Sequence, residues 1–150
     1  MKKIFVLCIV IISVFSLLAC SMNQEDEQVS KKDTLEKWEI RNQFVRDGKV
    51  LLTVYPDPVL SAEHPFGAVL HFTESFEAFK GKQLSIYAYH KQTSEKITVQ
   101  APETINEASP GYTSLDRYPV TSVLPKSGIW RYEVYLDQSF YADFVLHVKE

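Results

Sequence analysis

Alternating apolar and polar residues are clearest near the C-terminus. Across residues 129–136 every second side chain is large and apolar, which is the period of a strand with one buried face. Residues 137–139 are polar turn formers, and the alternation then resumes over 140–148. The predicted buried side consists of Trp130, Tyr132, Val134, Leu136, Phe140, Ala142, Phe144, Leu146 and Val148. This pattern predicts a long hairpin, whose apolar side needs a second sheet packed against it.

Shorter strand-like segments separated by turn signals occupy most of the remaining chain. The pattern predicts strands at 49–55, 66–72, 84–89, 96–100 and 119–124. A polar connection with Phe76 and Phe79 predicts one short helical turn, and residues 102–110 predict a long loop. Seven or eight short strands with almost no helix predict an all-β fold, a β-sandwich or a barrel.

Two predictions remain open for residues 33–44. Asp33 or Thr34 is a suitable cap for a helix that would begin there. Trp38, Ile40 and Phe44 instead fit an alternating strand, which we prefer.

The N-terminus has the layout of a secretory signal peptide. Lys2 and Lys3 precede an apolar run over residues 4–18 that contains only two serines. The run is shorter than the roughly 20 residues that a helix needs to cross a bilayer. We therefore predict a signal peptide over residues 1–19 rather than a retained membrane-spanning helix.

The end of this run, Leu17-Leu18-Ala19-Cys20, resembles the lipobox of bacterial lipoproteins, although Leu18 stands where the family often has a smaller residue. The resemblance implies that cleavage follows Ala19 and that Cys20 carries a diacylglycerol thioether, with an N-acyl chain such as palmitate as an optional addition. Two buried acyl chains hold a protein firmly on a bilayer. The expected location is the extracytoplasmic face of the cell membrane, reached through a lipid anchor.

Composition divides the rest of the chain into a tether and one domain. Residues 20–36 are rich in Asn, Gln, Glu, Asp, Ser and Lys and cannot bury enough surface to fold, so they predict a flexible tether. Residues 37–150 are long enough for a single domain. Because Cys8 lies in the predicted signal peptide and Cys20 carries the predicted lipid, this domain has to fold without disulfides.

A second resemblance covers about 25 residues around Gly128. The segment Leu124-Pro125-Lys126-Ser127-Gly128-Ile129-Trp130 and the strand after it look like the penultimate strand of immunoglobulin-like domains. In particular, Leu-Pro-x-Ser-Gly-x-Trp is similar to a group of small Gram-positive lipoproteins with an immunoglobulin-like domain and no known activity. The resemblance implies an immunoglobulin-like antiparallel sandwich of seven to eight strands.

Charge and motifs argue against several function classes. The chain has 16 Lys and Arg against 19 Asp and Glu, and without a basic stripe we predict no nucleic-acid partner. The catalytic motifs Gly-x-Ser-x-Gly and His-Glu-x-x-His and a glycine-rich phosphate loop do not occur, so we predict no enzyme and no cofactor.

The four histidines are isolated in sequence and are expected to be solvated at the surface, so we predict no metal site. A cross-strand pair of His71 and His147 is a minor alternative, because both fall on outward strand faces and a metal site needs several converging ligands.

Outward strand faces offer a candidate recognition surface. If the strands follow the immunoglobulin order, strand 84–89 lies beside strand 129–136, which neighbours the last strand. Tyrosine and arginine are enriched in recognition hot spots, although tyrosines also form strands well and pair across sheets for stability. The expected exposed face contains Tyr87, Tyr89, Arg131, Glu133, Tyr135, Tyr141, Val145 and His147. The predicted partner-binding residues are Tyr87, Tyr89, Arg131, Tyr135 and Tyr141.

The function expected from the sequence is a lipid-anchored binding module that meets another protein or an envelope component at the membrane surface. The alternative is a small-ligand or metal-binding lipoprotein that acts as a sensor or carrier.

Overall fold

The computed structural model describes residues 37–150, which form eight strands and one short helical turn. The strands are β1 (Gln43–Arg46), β2 (Lys49–Pro56), β3 (Pro65–Phe72), β4 (Gln83–His90), β5 (Lys96–Thr104), β6 (Tyr118–Val123), β7 (Gly128–Leu136) and β8 (Ser139–Val148). The helical turn, Phe76–Ala78, is of the 3₁₀ type and lies in the connection where the sequence predicted it. Strand β5 extends to Thr104, so the predicted loop at 102–110 begins later than expected.

Two antiparallel sheets of four strands make up the fold. The back sheet has the order β1-β2-β3-β6, and the front sheet has the order β5-β4-β7-β8. The predicted β-sandwich is therefore confirmed. The predicted neighbours β4, β7 and β8 are also adjacent in the front sheet.

Alternation along β7 places its apolar side between the sheets, as predicted. Trp130 is fully buried, and its indole Nε1 donates a hydrogen bond to the Lys126 carbonyl at 2.9 Å. Tyr132 stacks on Phe144 with 4.6 Å between ring centroids. On the opposite sheet, Leu52 and Leu70 are likewise fully buried. These side chains form the centre of the single hydrophobic core found within residues 37–150.

The β7–β8 hairpin departs from strict alternation at one point. Val134 lies opposite Ala142, but Tyr135 lies opposite Phe140, so Tyr141 is an extra residue in a β-bulge. Phe140 is consequently 45% exposed on the outer side, whereas Tyr141 points into the core. The predictions of an inward Phe140 and an outward Tyr141 were wrong, because the bulge shifts the side-chain alternation by one residue.

The first described segment contacts both sheets. Arg41 exchanges two backbone hydrogen bonds with Val145 of β8, at 3.0 and 2.9 Å, and β1 then pairs with β2 of the back sheet. Farther along β8, Lys149 bonds the backbone of the segment after β2, through the Leu60 carbonyl at 2.8 Å and the Ala62 amide at 2.9 Å. The outer edge of β8 is thus paired at two places.

The strand interpretation of residues 38–44 is correct only for its end, since β1 starts at Gln43 and Ile40 is 58% exposed. Within residues 37–150 no helix has the length and apolar character to cross a bilayer. The predictions about Cys8, Cys20, the signal peptide over 1–19 and the tether over 20–36 lie outside the described residues.

Candidate binding face of the front sheet

Strand pairing brings three of the predicted tyrosines onto one outer face. In the register of β4 and β7, Ser85 lies opposite Tyr135, and Tyr89 lies opposite Arg131. Tyr87 lies one row from Tyr135, and their rings meet edge to face with 5.9 Å between centroids. Each of the three tyrosines is partly exposed. Their side chains therefore lie together at the surface, as expected from the sequence.

These rings line a shallow pocket of about 300 Å³, which we call the tyrosine pocket. Its walls are formed by Gln83, Ser85, Tyr87, Tyr89, Lys96, Pro102, Tyr135 and Gln138. The lining side chains are three tyrosines with their hydroxyls, one serine hydroxyl, two side-chain amides, one proline and one ammonium group. Such a mixture of flat apolar surface and a few polar groups is typical of small recognition sites.

Lys96 was not singled out from the sequence, yet it lies directly over the aromatic rings. It opposes Tyr89 in the β4–β5 register, and its ammonium Nζ is 3.9 Å from the Tyr87 ring centroid and 5.7 Å from that of Tyr89. A cation within about 6 Å of a ring centroid is attracted by the negative ring face. The signal available in the sequence was the polar stretch at residues 92–95 between the two predicted strands, which sets Lys96 beside Tyr89 in the hairpin.

Next to the pocket, a network of ion pairs lies on the same outer face. Arg131 pairs with Glu133 and lies 3.9 Å from Asp143, while Arg41 Nη2 is 2.6 Å from Asp143 Oδ1. Arg131, Glu133 and Asp143 are each less than one-tenth exposed, although they point away from the core. The ring of Trp38 lies over Arg131, 5.5 Å from its guanidinium carbon, and contributes to this burial. Arg131 is therefore a buried neighbour of the pocket, held by its ion pairs, and exposes little surface to a partner.

Glu133 connects the ion-pair network to the pocket. Tyr135 donates its hydroxyl hydrogen to Glu133 Oε2 at 2.7 Å. This hydrogen bond, together with partial burial and the negative charge of Glu133, raises the pKa of Tyr135 to about 12. The hydrogen bond to Glu133 also fixes the orientation of the Tyr135 ring.

Tyr141, the fifth predicted partner-binding residue, is not part of this face. Its ring contacts Phe72 and Phe79 in the core, with centroid distances of 5.9 and 5.7 Å. Its hydroxyl donates to Glu74 Oε2 at 3.0 Å. Burial, and then the hydrogen bond to Glu74, raises the pKa of Tyr141. The outward position assigned to this residue was wrong because of the bulge.

The histidines are distributed differently from the sequence expectation. His90 is only 5% exposed, packs on the Trp130 ring at 4.8 Å and has Nε2 at 3.1 Å from the Ser127 carbonyl oxygen, so it is not a solvated surface residue. His71 lies on β3 in the back sheet and His147 on β8 in the front sheet, so they do not form the cross-strand pair. Residues 37–150 contain no group of three or more His, Cys, Asp or Glu side chains arranged to hold a metal ion.

A second pocket, of about 480 Å³, lies on the outer face of the back sheet. His71 Nδ1 is 3.1 Å from Asp116 Oδ1 at its wall, which leaves the other ring nitrogen available. The remaining lining residues are Tyr55, Val69, Tyr112 and Arg117. This site was not predicted from the sequence, because it depends on the loop before β6 folding over β2 and β3.

Comparison with known proteins gives a family and a fold. Residues 27–146 match the family described as Domain of unknown function (DUF4871). Among solved structures, "a Putative Lipoprotein from Bacillus anthracis" is 17% identical, with a TM-score of 0.51 and coverage of 78% of this chain and 91% of that one. Superoxide reductase (neelaredoxin) from Ignicoccus hospitalis is 16% identical, with a TM-score of 0.44 and coverage of 65% and 78%. No curated protein sequence matches the chain.

Proposed function

The chain belongs to the DUF4871 family, a family of unknown function, and we propose that it is a lipid-anchored binding module on the extracytoplasmic face of the cell membrane. In this proposal the front sheet captures a protein or an envelope component through the tyrosine pocket. The observation that carries it is the convergence of Tyr87, Tyr89 and Tyr135 around one pocket of about 300 Å³. Partly exposed aromatic rings on rigid strands give large contact area at small entropic cost.

The anchor rests on the sequence Leu17-Leu18-Ala19-Cys20. Burial of each acyl CH₂ group contributes about 0.8 kcal/mol, so a diacylglycerol on Cys20 holds the domain at the bilayer without a membrane span. The tether over 20–36 would connect that lipid to the folded domain. The similar Bacillus anthracis protein is itself described as "a Putative Lipoprotein", which agrees with this location.

We also propose that the sandwich is of the immunoglobulin-like kind. The strand order supports this: β2-β3-β6 faces β5-β4-β7-β8, as strands A-B-E face C′-C-F-G in immunoglobulin-like domains, and β1 is an additional strand beside β2. Under this proposal the module acts by binding, without catalysis and without a resident cofactor or metal. An acidic balance of 16 basic to 19 acidic side chains supports a partner other than nucleic acid.

Replacement of Tyr87, Tyr89 and Tyr135 by serine in one variant tests the binding role. We expect the variant to lose partners that co-purify with the lipidated wild-type protein after cross-linking in intact membranes. Val123→Ser is the control, because Val123 is 50% exposed on the opposite sheet and lines neither pocket. Circular dichroism and thermal melting identify loss of folding. Unchanged co-purification by the folded triple variant would overturn the proposed function.

One observation favours the alternative of a small-ligand carrier. The pocket of about 480 Å³ on the back sheet is lined by polar side chains: His71 pairs with Asp116 at 3.1 Å, and Arg117 lies over the Tyr112 ring at 5.3 Å. A ligand that binds only the folded state raises the melting temperature by mass action. To test this alternative, the melting temperatures of the wild-type protein and of a His71→Ala variant are measured with increasing inorganic phosphate and, separately, with increasing Zn²⁺. A melting temperature that neither ion changes would contradict binding of these two ions.

A further inference from the structure

We infer that the tyrosine pocket recognises an ammonium group, and that Lys96 occupies this site in the free protein. The inference rests on the proposed function, because it names the chemistry of a ligand for the same face. Its basis is the position of one charged side chain against two aromatic rings.

The rings already hold a cation within the molecule. Nζ of Lys96 is 3.9 Å from the Tyr87 ring centroid and 5.7 Å from the Tyr89 centroid. Both distances lie inside the range in which a ring face attracts a cation. The third ring, Tyr135, lines the same pocket and meets Tyr87 edge to face at 5.9 Å. The pocket therefore collects three tyrosine rings, the kind of side chain that forms sites for quaternary ammonium groups.

A second cation, Arg131, lies over the Tyr89 ring with its guanidinium carbon 5.9 Å from the centroid, but its charge is matched by Glu133. Glu133 and Asp143 are matched by Arg131 and Arg41, so the buried network is balanced in charge. Tyr135 directs its hydroxyl hydrogen to Glu133 at 2.7 Å, which places this donor on the carboxylate rather than against an incoming cation. Attraction of a cation then comes from the ring faces.

Lys96 can be displaced from the tyrosine rings by another ammonium group. It is an exposed residue at the first position of β5, and its flexible four-carbon stem carries a strongly hydrated ammonium. A quaternary ammonium has a larger apolar surface, so it gains more from the aromatic rings than the lysine does. Lys96 is thus an intramolecular competitor that an outside ammonium group displaces.

Titration of the lipidated protein with choline, in a detergent without ammonium groups, tests the inference. Binding is followed by the NMR signals of the tyrosine rings. Lys96→Met keeps an unbranched apolar stem and removes the competing cation, so choline affinity is expected to rise about two- to fivefold, the range of an exposed cation–π contact. Adding Tyr87→Leu to Lys96→Met should abolish this binding. The neutral isostere 3,3-dimethylbutanol is expected not to bind.

Glycerophosphocholine distinguishes the sources of the ammonium group. Binding of both choline and glycerophosphocholine assigns a phospholipid headgroup, and binding of choline alone assigns a soluble ammonium compound; both support the inference. Equal binding of 3,3-dimethylbutanol, or no choline binding by a folded Lys96→Met protein, overturns it. If choline fails while the triple tyrosine variant still loses its partners, the ammonium inference is wrong and the proposed function stands.

Discussion

At the scale of single residues, Gly128 joins the turn before β7 to the core. Its φ of +121° lies in the region that favours glycine, and a Cβ built there would be 2.9 Å from His90 Nε2. That nitrogen lies 3.1 Å from the Ser127 carbonyl oxygen, and the His90 ring packs on Trp130. The position of the His90 ring against Trp130 therefore requires a residue without a Cβ at position 128.

Gly128→Ala should lower the free energy of unfolding by roughly 2 to 5 kcal/mol, through backbone strain together with the clash against His90. Gly111→Ala is the matched control, because Gly111 has a φ of +81° but open space around its Cβ position. It should lose only about 1 to 2 kcal/mol, from strain alone. Urea unfolding of both variants measures the difference, and equal losses would contradict the role of the His90 contact.

At the scale of elements, the β-bulge decides which aromatic residue of β8 is structural. Tyr141 is 8% exposed and packs on Phe72 and Phe79, whereas its neighbour Phe140 is 45% exposed. Because side chains alternate along a strand, one extra residue changes the faces of these neighbours.

Tyr141→Ser should cost about 3 to 5 kcal/mol of stability, as for other large aromatic residues removed from a core. Phe140→Ser, the matched change at the next position, should cost about 1 kcal/mol, since its ring is partly solvated. Chemical unfolding of the two variants gives the comparison. The reverse order of stabilities would mean that β8 follows the simple alternation without a bulge.

The bulge also explains where sequence analysis failed. Alternation was sufficient for Trp130, Tyr132 and Val134, because no extra residue interrupts β7 and the buried positions are plainly apolar. At Phe140 and Tyr141 two aromatic residues are adjacent, so the composition does not say which one is inward. Pro102 was read as part of a loop, although β5 is an edge strand, where proline is tolerated.

At the scale of the whole molecule, the spacing of short alternating segments predicted an all-β fold of seven or eight strands and left a sandwich and a barrel open. The resemblance to immunoglobulin-like domains selected the sandwich. The grouping of Tyr87, Tyr89 and Tyr135 was also predictable, once β4 was assigned beside β7. The position of Lys96 over the rings was missed, although the β4–β5 register that sets it is local to one hairpin. The separation of His71 from His147 was not predictable, because the sheet to which each strand belongs depends on contacts between distant segments.

The Cys20→Ser variant tests whether a lipid on Cys20 anchors the protein to the membrane. We expect the protein to move from the membrane fraction to the soluble fraction, or to remain as an unprocessed precursor, because a serine cannot carry the thioether lipid. Cys8→Ser is the matched control: it lies within the predicted signal peptide and should leave fractionation unchanged. Mass spectrometry of the purified wild-type protein should detect the diacylglycerol, and an unmodified Cys20 in membrane-bound protein would contradict the anchor.

The backbone contacts of Val145 with Arg41, and of Lys149 with Leu60 and Ala62, bear on whether copies of this protein self-associate. An unpaired edge strand presents free N–H and C=O groups, with which a strand of a neighbouring chain can pair. Arg41 occupies the N–H and C=O of Val145, and the segment at Leu60 and Ala62 does the same at Lys149. A chain shortened to begin at Gln43 keeps every strand but leaves the backbone N–H and C=O of Val145 unpaired. The few residues before β1 are therefore expected to protect this strand edge from self-association.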